Sequence, residues 1–427
     1  MSTPLTATQA RRVLLLLTFT RWFPIGLVIG VSALLPLERG MSVAQIGVIF
    51  AMQGVVVLGL ELPTGGVADA LGRRPVLIAS TLVALVSGLV FVTAHTFGAF
   101  VVALLLQGVF RALDSGPLEA WYVDAAQADD PDVKVEEGLS RAATVLGLAI
   151  ASGAVISGGL IAWDPVPFLT ALETPYWISI VLIVVNLVAT ALLMREPTAH
   201  LDSRGVQRAL AAAKEAPRVV TGGLRMLGTN RVLLALVLVE VFWSVGMIAF
   251  ETFTPLRLAE LVGGEARAGA LMGPVSAAAW GLFAVGSSIA ALLARRVGVT
   301  WTAIAAMTAR AVFTVLMGLM MGPVGFITAF LVVYTLHGAS GPVHATLLHR
   351  QAEARNRTTV LSMNSMVANG AYSLGLLALA PLAEATSTSF GILVAGAFSI
   401  LGVGLYWPAL RQERALDAEE EAHAVVA

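Results

Sequence analysis

The chain has 427 residues, of which 57% are hydrophobic and only 12% charged, and its net charge is −1. Soluble domains carry about 25% charged residues, so this composition belongs to a membrane protein, and the near-zero charge without a basic, aromatic-interleaved stripe excludes a nucleic-acid surface. With no cysteine there is no disulfide framework, thiolate nucleophile or thiolate metal site. Apolar runs of about 20 residues, enough to cross about 30 Å of hydrocarbon as helices, recur down the whole length. The ten-residue alternation of an outer-membrane barrel is missing.

The first run follows Arg11 and Arg12. It is too long for a signal peptide and lacks a small-residue cleavage site, so it reads as a spanning helix. Twelve spans are predicted, near residues 12–36, 43–63, 75–94, 98–122, 139–162, 174–194, 231–256, 267–294, 299–321, 324–347, 359–383 and 389–410. Lys and Arg of short loops stay in the cytoplasm. Arg73, Arg74, Arg195, Arg295, Arg296, Arg350 and Arg411 fall on one side, with Arg39, Arg257 and Arg267 on the other. Both termini are therefore expected on the cytoplasmic side of the cell (inner or plasma) membrane.

Between spans 2 and 3 the stretch Pro63 to Pro75 reads as a glycine-rich turn with one carboxylate, Asp69, and two rim cations, Arg73 and Arg74. An ordinary positively charged loop fits, and so does a latch. The spacing Gly65, Val67, Ala68, Asp69, Gly72, Arg73, Arg74, Leu77 resembles the loop signature between helices 2 and 3 of the major facilitator superfamily, with Ala70 where that family has a basic residue. The expected latch comprises Gly65, Asp69, Gly72, Arg73 and Arg74; because the internal repeat described below keeps the two arginines but not the acid, Asp69 is expected to meet helix amides near Thr358 and Thr359 at the start of span 11.

The composition turns polar between Glu196 and Asn230, a cytoplasmic linker expected to hold one or two short surface helices. The domains are accordingly 1–195, a six-helix bundle; 196–230, the linker; 231–411, a second bundle; and 412–427, an acidic tail expected to be disordered. The bundles repeat. Ser115-Gly116-Pro117 returns as Ser340-Gly341-Pro342 at an offset of 225, and Pro36-Leu37 as Pro255-Leu256 at 219. Arg73-Arg74 returns as Arg295-Arg296 at 222, which puts Ala291 opposite Asp69. Parallel six-span repeats are the architecture of a two-bundle transporter. The fold class is thus all-α, twelve helices in two pseudo-symmetric bundles, and the resemblance to the superfamily extends over essentially the whole chain.

Ionisable groups inside spans are costly and mark function by default. In span 4, Arg111, Asp114, Leu118, Glu119 and Tyr122 fall at helical spacings of i, i+3, i+7, i+8 and i+11, so they are expected to share one face that points away from lipid. Arg111 resembles the helix-4 arginine that the family links to proton coupling, and an internal Arg111–Asp114 ion pair is the plainer account. Arg21 in span 1 and Glu240 in span 7 are repeat mates, related by the same offset as Pro36 and Pro255. They are expected at one cavity, as a proton switch or as a fixed salt bridge. Trp22, Phe23, Trp243 and Met247 supply an aromatic, soft lining nearby. His337 and His344 lie seven residues apart on one face of span 10, a candidate gate or ordinary packing. Gly147, Gly153, Gly158 and Gly159 in span 5 resemble the antiporter glycine motif, although close helix packing suffices. Arg310, deep in span 9, has no assigned role.

No phosphate-binding loop, zinc helix or dinucleotide motif appears, so the chain is expected to be no enzyme, to need no cofactor and to bind no metal. The expected function is proton-coupled export of a small organic, amphiphilic or drug-like solute by a monomer in the bilayer. Asp114, Glu119 or Glu240 is the expected proton carrier. Import of an anionic solute held by Arg21 and Arg111, lipid translocation, and a transport-inactive receptor are the alternatives.

Overall fold

The computed structural model describes residues 5–196, 220–352 and 357–426, with 207, 211 and 214; at 61–66, 69, 357–358, 417 and 419–426 it describes the backbone alone. Among the described residues there are helices and no strands, and twelve helical stretches are long and apolar enough to cross a membrane. The protein is a multi-pass membrane protein of the expected all-α class. Most of the linker lies outside the described residues.

The chain packs as two compact units, one of residues Met1–Pro217 with Val262–Ala277, the other of Arg218–Leu261 with Ala278–Ala427. Inside the first unit, span 1 packs on spans 5 and 6, and span 3 on spans 4 and 6; in the second, span 7 packs on spans 11 and 12, and span 9 on spans 10 and 12. The sequence repeat is therefore a packing repeat. Glycines set the closest crossings: a Cβ on Gly153 would stand 2.6 Å from the Phe23 carbonyl, and one on Gly158 2.7 Å from that of Ala270. Gly147 and Gly159 face open space. The span 5 glycines that make contact thus serve close packing.

Span 1 runs Ala7–Ile29 and restarts as Leu34–Glu38, while span 7 runs Arg231–Glu251 and restarts as Phe253–Val262. Leu34 and Phe253, the two restart points, are related by the offset of the Pro-Leu repeat. Span 4 also breaks, and this corrects the single-face reading. Its first helix ends at Leu113, Gly116 adopts a left-handed conformation (φ +91°) and Pro117 opens the second helix, a position where the missing amide costs nothing. Asp114 and Tyr122 are buried, whereas Arg111 and Glu119 are exposed. The same tripeptide in span 10 stays inside the unbroken helix Pro323–Arg350. There Pro342 strands the Gly338 carbonyl, and the Ser287 hydroxyl of span 8 donates to it at 2.8 Å.

The glycine-rich stretch is not a loop. The helix Val43–Leu71 continues through it, and the joint to Arg73–Thr93 is Gly72 alone, at φ +101°. A carboxylate from beyond span 6 closes the joint: Glu196 accepts from the Arg73 and Arg74 amides at 2.8 and 2.9 Å. Gly298 (φ +86°) makes the matching joint before Val299–Leu319. There Glu413, from beyond span 12, accepts from the Val299 and Thr300 amides at 3.2 and 3.1 Å. Matching Gly72 to Gly298 makes Arg73 and Arg74 correspond to Val299 and Thr300, and Asp69 to Arg295 rather than Ala291. The tail is corrected too. Residues Trp407–Val426 form a helix, as an Ala- and Glu-rich run favours.

Candidate functional site

In the first unit the span 4 break turns Asp114 inward at a helix end, where its amide still donates to Phe110. Its carboxylate forms an ion pair with Arg21 of span 1, and both side chains are largely buried. Arg21 also donates to the Asp114 carbonyl at 3.4 Å, and its guanidinium lies 5.2 Å from the Trp22 ring centre. The ion pair thus reaches across to another helix, where helical spacing alone suggests the neighbour Arg111. Glu119 stands within electrostatic reach of Arg21. Beside the pair is a small pocket lined in part by Thr81, Asn186 and Thr190. Phe23 stacks on Phe19, and Tyr122 is buried against Gly138.

In the second unit Glu240 of span 7 is the centre. Its Oε1 lies 3.3 Å from His344 Nε2 of span 10 and accepts from Asn364 Nδ2 of span 11 at 2.8 Å. The other ring nitrogen, His344 Nδ1, meets the Tyr406 hydroxyl at 3.0 Å. One turn along span 7, the Trp243 ring lies under the Arg310 guanidinium at 4.3 Å. His337 and His344 both approach Trp243, each with ring centres 5.7 Å apart. Their surroundings differ. His337 sits among Trp243, Phe250, Phe283 and Tyr334, and His344 against the Glu240 carboxylate. Met247 packs at the edge of the same core, and Glu251 accepts from the Tyr334 hydroxyl at 3.1 Å.

Each unit therefore joins its first and fourth spans through a buried acid, an ion pair with an arginine in the first unit and a contact with an imidazole in the second, with the order of acid and base reversed. Span 1 brings the cation and span 4 the acid; span 7 brings the acid and span 10 the base. Arg21 and Glu240, expected to face one another, each have a partner inside their own unit.

The sequence profile described as Major Facilitator Superfamily matches residues 14–375. The chain belongs to the major facilitator superfamily. Solved structures of similar fold include the nucleoside transporter NupG and a point mutant of it. The mutant aligns at TM-score 0.76 and 12% identity over 93% of this chain and 99% of its own. The other aligns at 0.73 and 12%, over 93% and 98%. No curated protein sequence matches.

Of the expected superfamily latch, Gly72, Arg73 and Arg74 are placed. Arg73 pairs with Asp124 and donates to the Ala120 carbonyl at 2.8 Å, and Arg74 donates to the Ala191 carbonyl at 2.5 Å. The side chain of Asp69, with Gly65 and the Thr358 side chain, lies outside the described residues. Sequence reasoning missed Asn364, Tyr406 and Asn186, which accepts from Thr20 at 2.9 Å. A signal was present for the last two: Asn186 and Tyr406 are polar residues of spans 6 and 12 at an offset of 220, close to that of the repeat.

Proposed function

We propose that this superfamily member exports a small, flat organic solute by alternating access in exchange for protons, with Glu240 as the principal proton carrier and Asp114 as the second. The observation that carries the reading is the setting of Glu240. A buried carboxylate held by an imidazole and a side-chain amide can take a proton and release its partner, because the imidazole loses its ionic attraction when the carboxyl becomes neutral. The aromatic ring around His337 supports a planar solute. Export is supported by the resemblance of the stretch from Glu61 to Arg74 to exporters. It is supported again by Arg21, the cation an anion importer needs for its substrate, which Asp114 already neutralises. In this reading the protein works as a monomer in the cell membrane with both termini in the cytoplasm, and the Gly65–Arg74 segment latches one of its states.

The test is solute-driven proton movement in proteoliposomes with a trapped pH dye, against a panel of flat amphiphiles that includes nucleosides. An added solute that enters by antiport drives protons out of the vesicle, whereas symport brings them in. Glu240→Gln is expected to abolish the signal and Asp114→Asn to weaken it at least tenfold. An undiminished proton signal in both variants refutes the assignment, and inward proton flux refutes the direction.

A further inference from the structure

Arg310 is the most deeply buried cation described, at 1% exposure in a span otherwise apolar or hydroxylic at its buried positions. Neither Nη1 nor Nη2 has a hydrogen-bond partner among the described residues. Its surroundings are the face of Trp243 and the electrostatic influence of Glu240 and Tyr406. An aromatic face offsets only a part of the cost of burying a guanidinium, about 2 kcal/mol when desolvated, while an uncompensated buried charge costs several kcal/mol. Something anionic must hold Arg310 in place. Among the described residues Glu240 is the carboxylate within electrostatic reach, one helical turn from the ring that Arg310 covers.

We propose that Arg310 is a positioning residue for the Glu240 proton site: it is the internal counter-ion that sets the pH at which Glu240 loads, and Trp243 holds it at the working distance. The inference rests on the reading of Glu240 as proton carrier. The groups facing Glu240 are His344 of span 10, Asn364 of span 11, Tyr406 of span 12 and Arg310 of span 9; His337 also lies within reach of Arg310. An imidazole is charged only when protonated, and Asn364 and Tyr406 are neutral. Arg310 alone stays cationic through the working range. When Glu240 is ionised the two charges support one another. When the proton arrives, Arg310 is left uncompensated, so it opposes loading and favours release. A fixed cation acting across the width of a side chain or two, at an effective dielectric of about 20, shifts a proton affinity by about one to two pH units.

The test needs no substrate. In purified protein reconstituted in lipid, the infrared band of protonated Glu240 is identified by its absence from Glu240→Gln and titrated against pH. In Arg310→Gln its midpoint is expected to rise by about one to two units, because loading is no longer opposed, while Arg310→Lys stays close to wild type. An unchanged midpoint in Arg310→Gln reduces Arg310 to packing and overturns the inference, with the proton reading intact. No titrating Glu240 band in the wild-type protein overturns both. Should Arg310→Gln not fold, melting temperatures decide: Glu240→Gln lowers the melting point by several degrees and adding Arg310→Met recovers most of the loss. A double variant that melts below Glu240→Gln refutes the counter-ion role.

Discussion

The Arg21–Asp114 pair gives the sharpest test of how the first unit is held together. The Asp114 side chain is 3% exposed and the Arg21 side chain 14%, so neither charge has water to fall back on. Asp114→Asn keeps the shape and a hydrogen-bonding oxygen but removes the charge, which leaves Arg21 buried and uncompensated. Breaking a buried pair from one side costs about 3–5 kcal/mol. For a unit of this size each kcal/mol moves the melting temperature by about 2–4 °C, so a fall of about 6–20 °C is expected. Removing both charges with apolar side chains of similar volume, Arg21→Met with Asp114→Leu, relieves the desolvation of both groups and is often neutral or stabilising. The double variant should melt near the wild type while losing transport. The assay is thermal unfolding in detergent followed by tryptophan fluorescence, for which eight tryptophans are present. If Asp114→Asn melts within about 2 °C of wild type, the pair does not carry the stability assigned to it. If the double variant melts below Asp114→Asn, the desolvation of the two charges does not dominate at this site.

The repeated tripeptide allows a comparison of opposite sign. Gly116→Ala forces a side chain into a left-handed conformation and should cost about 1–2 kcal/mol, whereas Gly341→Ala, at a helical site with nothing within 4 Å of the added methyl, should gain up to about 1 kcal/mol; equal effects on the melting temperature would refute the difference in backbone. The two joint carboxylates should behave alike. Glu196→Ala and Glu413→Ala each uncover two amides at a helix start and should lower stability by about 1–2 kcal/mol, measured by denaturant melting of the purified protein. A change confined to one of them would show that the second joint is held by other contacts.

The spans and their order are legible because a bilayer imposes a length and a polarity on every crossing helix. Their breaks are only half legible. Gly116 and Pro117 are the residues of a broken helix, yet Gly341 and Pro342 are identical and the helix continues. The difference lies in Ser287, a residue of another span that takes the stranded carbonyl, and no local pattern records it. The joint at Gly72 reads as a loop because its glycines and charges are those of a turn. In a span that overshoots the hydrocarbon, they sit on helix instead. The phase of the repeat slips there for a related reason: two arginine pairs draw the alignment toward Arg295 and Arg296, while the backbone repeats from Gly72 to Gly298, where a glycine must take positive φ.

Partner choice is the least legible property, and the reversed charge pairs show why. Sequence periodicity pairs residues of one helix, which favours Arg111 as the partner of Asp114; the break rotates Asp114 toward Arg21 of span 1. Repeat symmetry pairs equivalent positions, which favours Arg21 and Glu240 as partners of one another. Equivalent positions face equivalent neighbours, however, and each finds its counter-charge on the fourth span of its own unit. Opposite charges at symmetry-related sites then have a consequence that identical ones would lack. The first unit pairs an arginine of its first span with an acid of its fourth; the second pairs an acid of its first span with an imidazole of its fourth. In the proposed proton-coupled reading, protonating either acid releases the tie between the first and fourth spans of its own unit, but the group left behind differs, a guanidinium on the first span in one unit and an imidazole on the fourth in the other. A transporter built on two copies of one fold needs such an asymmetry if a proton is to act on one half before the other. The counter-ion role proposed for Arg310 would bias one side alone toward proton release, because the register set by the two joint glycines places the uncharged Ala84 at its equivalent position in the first unit.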